Sequence, residues 1–195
     1  MPNPVELDPR TLLSAYAQGV FPMADPDGSI NWYTARPRGI VPLDQFHIPG
    51  TLRQIIRQNR FEIRINSAFC EVMRQCMLTR DSSWINQPLI DAYHHLHQLG
   101  HAHSVECWRE NQLVGGLYGV TLGAAFFGES MFHHATDASK VALVHLVQQL
   151  RDRGFELLDT QATTPHLKRF GCIDIPADDY LVLLRRAIGK PRTFA

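Results

Sequence analysis

The chain has no CxxC pair among its four cysteines, no apolar run of membrane-spanning length, and no net charge. Each absence removes a class of protein. Cys70, Cys76, Cys107 and Cys172 show neither zinc-ligand spacing nor the density of a small secreted scaffold, so reduced thiols are expected. A spanning helix needs roughly 18–20 consecutive apolar residues, which the chain does not contain. The start, Met1-Pro2-Asn3-Pro4, lacks a signal-peptide core. A soluble, cytoplasmic protein is the expectation. Lys and Arg number 19 and Asp and Glu number 19, so the global field attracts no nucleic acid and RNA affinity requires a local patch. Internal repeats, low-complexity tracts, a Walker loop, a GxSxG elbow and a zinc-protease helix are all absent from the sequence.

What remains is a chain of 195 residues, 45% of them hydrophobic, enough for one main domain and a small annex. Asp8-Pro9 before Leu12, Leu13 and Tyr16 reads as a capped helix that Gly19 can end. Phe21 to Pro37 is rich in Pro, Gly, Asp and aromatics, which is turn chemistry, so this stretch reads as an ordered connecting segment. A boundary near Ala35 to Pro37 divides a small N-terminal domain, residues 1–36, from a main domain, 37–195. Beyond it, Thr51 can cap a short helix to Asn59, and Phe61, Ile63 and Ile65 alternate as one face of a strand. Ser67 caps a helical pattern (Phe69, Val72, Met73, Cys76, Met77). Pro88 opens another, with Leu89, Ala92, Tyr93, Leu96 and Leu99 inward and Gly100 at its end. Ser104–Arg109, Gln112–Val120 and Ala124–Phe132 read as strands, with Asn111 turning between the first two. Asp137 caps a long helix to about Asp152, and Phe155–Gln161 is an apolar strand with a polar end. A short helix near Pro165–Phe170, a strand at Cys172–Ile175 and a helix from Ala177 to Ile188 complete the order. A mixed sheet with helices on both faces, an α/β core, follows.

Three segments carry candidate chemistry. Glu129 lies inside the apolar strand Gly128-Glu129-Ser130-Met131-Phe132, where it either faces solvent from a one-sided sheet or needs buried partners. Asp159 and Gln161 are two apart at a strand end, so period 2 predicts one face for both; they serve chemistry or cap a loop. Trp84, in Ser83-Trp84-Ile85, is either core or a stacking platform. His94, His97 and His101 follow helical spacing with His103 nearby, but Gly100 breaks the helix and no cysteine joins them, so a solvated face is expected and no metal. His133-His134 either supply a base or, since adjacent side chains point different ways, leave one facing solvent, which is the expectation. Arg53, Arg57 and Arg60 share one helical face, with Arg64 beyond, either as solubilising charge or as phosphate contacts.

Several blocks together resemble the bacterial leucyl/phenylalanyl-tRNA–protein transferases, from about Leu12 to Ile188. They are Ala15-Tyr16 with Gly19-Val20-Phe21-Pro22, Ser83-Trp84-Ile85, the run from Tyr93-His94 to Glu106, Val114–Val120, Phe127–Phe132, Ala138-Ser139-Lys140 and Asp159-Thr160-Gln161. The resemblance implies an acetyltransferase-like (GNAT) catalytic domain, a small N-terminal domain and no cofactor. The pyrophosphate loop of acyl-CoA enzymes, Q/R-x-x-G-x-G/A, is missing before Asp137. It also implies transfer of Leu, also Phe and Met, from aminoacyl-tRNA to proteins with N-terminal Arg or Lys, tagging them for N-end-rule degradation, by a cytoplasmic monomer that needs no membrane. Asp159, Gln161 and Glu129 fall on the family's catalytic positions. Leu117, Phe126, Met131, Leu146 and Leu158 fall on its aminoacyl pocket with Ser130 beside it, and Trp84 on its adenosine-binding tryptophan; Arg53, Arg57 and Arg60, from their spacing and not from the resemblance, are the candidate tRNA backbone contacts. Two departures stand out: Met23 replaces a second tryptophan, and the N-terminal stretch is shorter than in familiar members. An acyl-CoA N-acetyltransferase and a non-catalytic RNA-binding module are the competing readings.

Overall fold

The computed structural model describes residues 7–80 and 82–195; Met1-Pro2-Asn3-Pro4 lie outside the described residues. Helix α1 spans Pro9–Tyr16, with the Asp8 carboxylate accepting from the Arg10 and Thr11 amides and proline in the first turn. Residues 21–33 form more than a connecting segment. Strands β1 (Phe21–Ala24) and β2 (Ile30–Tyr33) pair antiparallel as a small separate hairpin, turned at Gly28 with φ +85°. Aromatic content favours strands as much as turns, and turn residues dominated the sequence pattern.

The main sheet has seven strands. These are β3 (Arg38–Val41), β4 (Glu62–Ile65), β5 (Ala102–Arg109), β6 (Gln112–Leu122), β7 (Ala125–His133), β8 (Leu157–Gln161) and β9 (Ile173–Ile175). Their order is β4-β5-β6-β7-β8-β3-β9. Strands β4 to β7 form an antiparallel meander, β7 and β8 are parallel, and β3 lies antiparallel between β8 and β9. Strand β3 was not anticipated, because Arg36-Pro37-Arg38 breaks any apolar alternation. The β5–β6 hairpin turns on Glu110 and Asn111, both with positive φ (53° and 60°), as the Asn signal predicts.

Helices cover both faces. On one lie α1, α3 (Phe69–Leu78), α4 (Gln87–Gln98) and α7 (Ala177–Ile188); on the other lie α2 (Gly50–Arg57) and α5 (Ala138–Asp152), with the four-residue α6 (Pro165–Lys168) nearby. This is the expected mixed α/β arrangement, with one apolar core on each side of the sheet.

Several local expectations change. Thr51 lies inside α2, which begins after Pro49, and neither Ser67 nor Asp137 caps through its side chain. At α3 the Ala68 amide is instead satisfied by the carboxylate of Glu106, buried on β5 (2.8 Å). Leu99 is 54% exposed, because Gly100 (φ +80°) turns the chain away before a further turn can pack. The histidines form no uniformly solvated face: His97 stacks on Phe69, and His103 is buried between Asn66 and the Gly100 carbonyl. His133 and His134 are both exposed. All four cysteines are free thiols. Among the described residues no helix is long and apolar enough to cross a membrane, and no cluster of three metal-ligating side chains exists.

Candidate active site

Strands β7 and β8 pair only from Ala125 to Phe127 against Leu157 to Asp159. Beyond that they part. A cavity of about 390 Å³ opens in the splay, with Glu129, Ser130 and Met131 on one lip and Thr160, Gln161 and Ala162 on the other.

A β-bulge aims the first lip. Tyr118 pairs with Ser130 but Gly119 pairs with Gly128, so Glu129 is the extra residue. The bulge requires glycine at 119: a Cβ there would lie 2.3 Å from the Phe127 carbonyl oxygen. Glu129 is therefore no ladder residue, and it stands part-buried on the lip of the cavity. Glu129 Oε1 accepts from the Tyr16 hydroxyl (2.7 Å) and from Gln161 Nε2 (3.2 Å), and Tyr16 is hydrogen-bonded in turn to Tyr93. Burial, with Asp159 nearby adding to it, pushes the Glu129 carboxyl up to about 8, against the pull of Tyr16, Arg38 and Tyr93. Burial first, and the Glu129 charge second, raise the Tyr16 and Tyr93 phenols, keeping both as donors.

The second lip departs from the sequence expectation. Asp159 and Gln161 do not stand side by side on the cavity wall. Asp159 is fully buried and does not line the cavity. Its carboxylate takes Nε and Nη2 of Arg38 (2.9 and 2.6 Å), the Tyr180 hydroxyl (2.6 Å) and the Gln161 amide (2.8 Å). Gln161 has φ +56°, a left-handed conformation unfavourable for a residue with a side chain, and this takes it out of strand alternation. Asp159 holds that conformation through the Gln161 amide. Glycine at 39 lets β3 approach, since a Cβ there would meet the Ala162 carbonyl carbon at 2.6 Å.

The cavity has one apolar end and one aromatic end. Leu117, Met131, Leu143, Leu146 and Leu158 line the first, on the α5 side of the sheet. Phe126, expected there, does not line it: its ring is fully buried against Phe194 (centroids 5.4 Å apart). At the other end are Phe21, Met23 and Trp84, with Arg80 beside Ser130. The hairpin and the Trp84 segment are joined by a bond from the Ala24 amide to the Trp84 carbonyl (2.9 Å). The cluster Arg53, Arg57 and Arg60 lies outside this cavity. Helix α2 stops at Arg57 and Asn59 has φ +46°, so Arg60 leaves the helical face.

Sequence reading missed Arg38, Tyr16, Tyr93, Tyr180 and Arg80 as site residues. The tyrosines looked like core, which they also are. No pattern marks Arg38 or Arg80.

The family model described as leucyl/phenylalanyl-tRNA protein transferase matches residues 40–185, and the model of that family's N-terminal domain matches residues 5–36. The chain is 54% identical over 186 residues to a leucyl/phenylalanyl-tRNA–protein transferase of Akkermansia muciniphila, covering 93% of this chain and 96% of that one. Among solved structures it is similar to L-PGS from Bacillus licheniformis, with a TM-score of 0.45 and 13% identity, over 78% of this chain and 50% of that one. It is also similar to an aminoglycoside acetyltransferase from an uncultured soil metagenomic sample, with a TM-score of 0.41 and 18% identity, over 67% and 88%. On the sequence matches, which span nearly its whole length, the chain belongs to the leucyl/phenylalanyl-tRNA protein transferase family.

Proposed function

We propose that the chain transfers Leu, and also Phe and Met, from the 3′ end of aminoacyl-tRNA to the α-amine of proteins with N-terminal Arg or Lys, marking them for degradation. One observation carries this: the cavity joins an apolar hollow to an aromatic shelf, with the Glu129–Gln161 pair at their junction. The donor's side chain enters the hollow, which rejects polar residues by desolvation and separates similar apolar ones by only about 1–3 kcal/mol. The terminal adenosine lies on Trp84 and Met23, which sets the ester at the junction. The cytoplasm and a monomeric state complete the reading.

In the reaction the amine nitrogen bonds to the ester carbonyl carbon, the bond to the ribose oxygen breaks, and one proton passes from nitrogen to that oxygen. An α-amine titrates near 7.7–8.0 and is mostly protonated at neutral pH. A carboxyl raised to about 8 matches it, so Glu129 as carboxylate takes the extra proton of the ammonium before attack and releases it to solvent afterwards. The proton that reaches the ribose oxygen is the one the amine loses on acylation. Because Gln161 Nε2 is committed to Glu129, its Oε1 is the atom that faces the amine. Asp159 acts from behind, by fixing the Gln161 backbone, and not as the base.

The acyl-CoA alternative fits less well. Such enzymes seat a pyrophosphate on free amides at a helix N-terminus. At the turn into α5 stands Asp137, φ +68°, its carboxylate bound to Lys140 Nζ at 2.6 Å. An acid there opposes an anion. Labelled leucyl-tRNA with a peptide bearing N-terminal Arg, and ribonuclease as control, tests the reading: label must reach the peptide and ribonuclease must abolish it. Transfer from acetyl-CoA instead, or tRNA binding indifferent to the esterified amino acid, overturns it.

A further inference from the structure

The cavity wall carries two charged side chains, Glu129 and Arg80. Glu129 has a task in the amine chemistry; Arg80 has none so far. Arg80 lies just beyond the end of α3 and four residues before Trp84, and both line the cavity. Its Nη2 donates to Ser130 Oγ at 2.9 Å. Ser130 is buried on β7 opposite Tyr118, so this bond holds the guanidinium against the wall. Among the described residues Arg80 makes that one hydrogen bond and enters no ion pair. A guanidinium has five N–H donors and Arg80 is exposed, so most of its capacity is free for a ligand.

A planar cation beside an aromatic face suits a nucleotide: the base stacks on the ring and a phosphate meets the guanidinium fork. We infer that Arg80 is the subsite for the 5′-phosphate of the donor's terminal nucleotide, an inference that rests on the cavity being the donor site. This assigns the cation to a permanent anion at the nucleoside end. The opposite placement, on the transient oxyanion at the ester, would give no preference for the 5′-phosphate.

The test uses 3′-leucylamido-3′-deoxyadenosine, in which an amide replaces the ester to stop turnover, with and without a 5′-phosphate. Binding to the full chain is measured by calorimetry at fixed ionic strength. Wild type binds the phosphorylated form at least about tenfold more tightly, as a charge-assisted contact implies. That ratio falls to about one in Arg80→Gln. In Arg80→Lys it is intermediate, since a point charge replaces the fork. A salt titration of wild type serves as a second reading if a variant does not fold: only the phosphorylated form weakens as salt rises. No phosphate preference in wild type, an unchanged ratio in Arg80→Gln, or equal salt dependence of the two forms overturns the subsite and leaves the donor site standing. If neither form binds wild type, the donor-site reading itself falls, and the subsite with it.

Discussion

Arg38 and Asp159 face each other through two hydrogen bonds of 2.9 and 2.6 Å, with side chains only 1% and 0% exposed. The same guanidinium donates to the Gly19 carbonyl (2.9 Å) and lies over the Phe21 and Tyr180 rings. The pair thus joins the N-terminal residues, β3, α7 and the end of β8. Removing one partner leaves the other charge buried and alone, which costs about 3–5 kcal/mol. Asp159→Ala is therefore expected to lose transfer and stability together, with a clear fall in the urea midpoint. A variant that is inactive yet melts like wild type would show that Asp159 acts on substrate, against the positioning role given to it here.

Glu129 yields a prediction in pH with two opposite signs. Its folded-state value, about 8, lies above the ordinary 4.5, so the folded chain binds the extra proton between those limits. Its contribution to stability is present below about 4.5 and is lost as pH rises through about 8. Activity runs the other way, because the carboxylate is the form that accepts the amine's proton. Glu129→Gln should flatten the stability slope between pH 5 and 8. It should also lower kcat/KM by about 100-fold or more, the usual scale of a lost general base. Retention of the wild-type slope in the variant would remove the titration from Glu129.

The order of elements was legible because it rests on local signals: Asp8-Pro9, Pro88, Asn111 and Gly100 all act within a few residues of themselves. Glu129 and Gln161 were also visible, as polar residues in apolar strands. What escaped was what distant segments do to one another. Period 2 placed Asp159 and Gln161 on one wall, but the left-handed backbone at Gln161 depends on the Asp159 carboxylate, which depends on Arg38, 121 residues away. The family resemblance put Phe126 in the hollow, but its ring is taken up by Phe194 near the far end of the chain. Nothing local joins Arg80 to Ser130, 50 residues further on.

Trp84 and Met23 sit at one end of the cavity and allow a paired test. Trp84→Ala should weaken binding of the donor nucleoside by about 1–3 kcal/mol, the scale of one base–aromatic stack. Met23→Trp should strengthen it, since an indole offers more flat surface than a thioether. Met23 pairs with Asn31 in the β1–β2 hairpin, and its exposure is intermediate, so the larger ring has room to turn outward. Fluorescence titration with the amide analogue reads both changes. An unaltered affinity in Trp84→Ala would make that residue a packing element only.

The tRNA body needs contacts outside the cavity, and charge supplies a measurable one. Arg53 and Arg57 stand one turn apart on α2, and Arg60 follows it; Arg53 Nε is fixed to the Ile48 carbonyl (2.9 Å) and Arg60 Nε to Gln58 Oε1 (2.6 Å). Arg64 is a different case. Its guanidinium is bound to Glu62 at 2.7 and 2.9 Å and stacked on Trp108, so its charge is largely spent within the protein. Each cation that meets a phosphate releases condensed counterions and adds roughly 0.7–0.9 to the slope of log affinity against log salt. Exchanging Arg53, Arg57 and Arg60 together for Gln should reduce that slope by about two or more for intact aminoacyl-tRNA. It should leave binding of the single-nucleoside analogue unchanged, because none of the three lines the cavity. Arg64→Gln should alter the slope little. A triple variant with the wild-type slope would place the tRNA body on another face of the protein, whatever happens at the 3′ end.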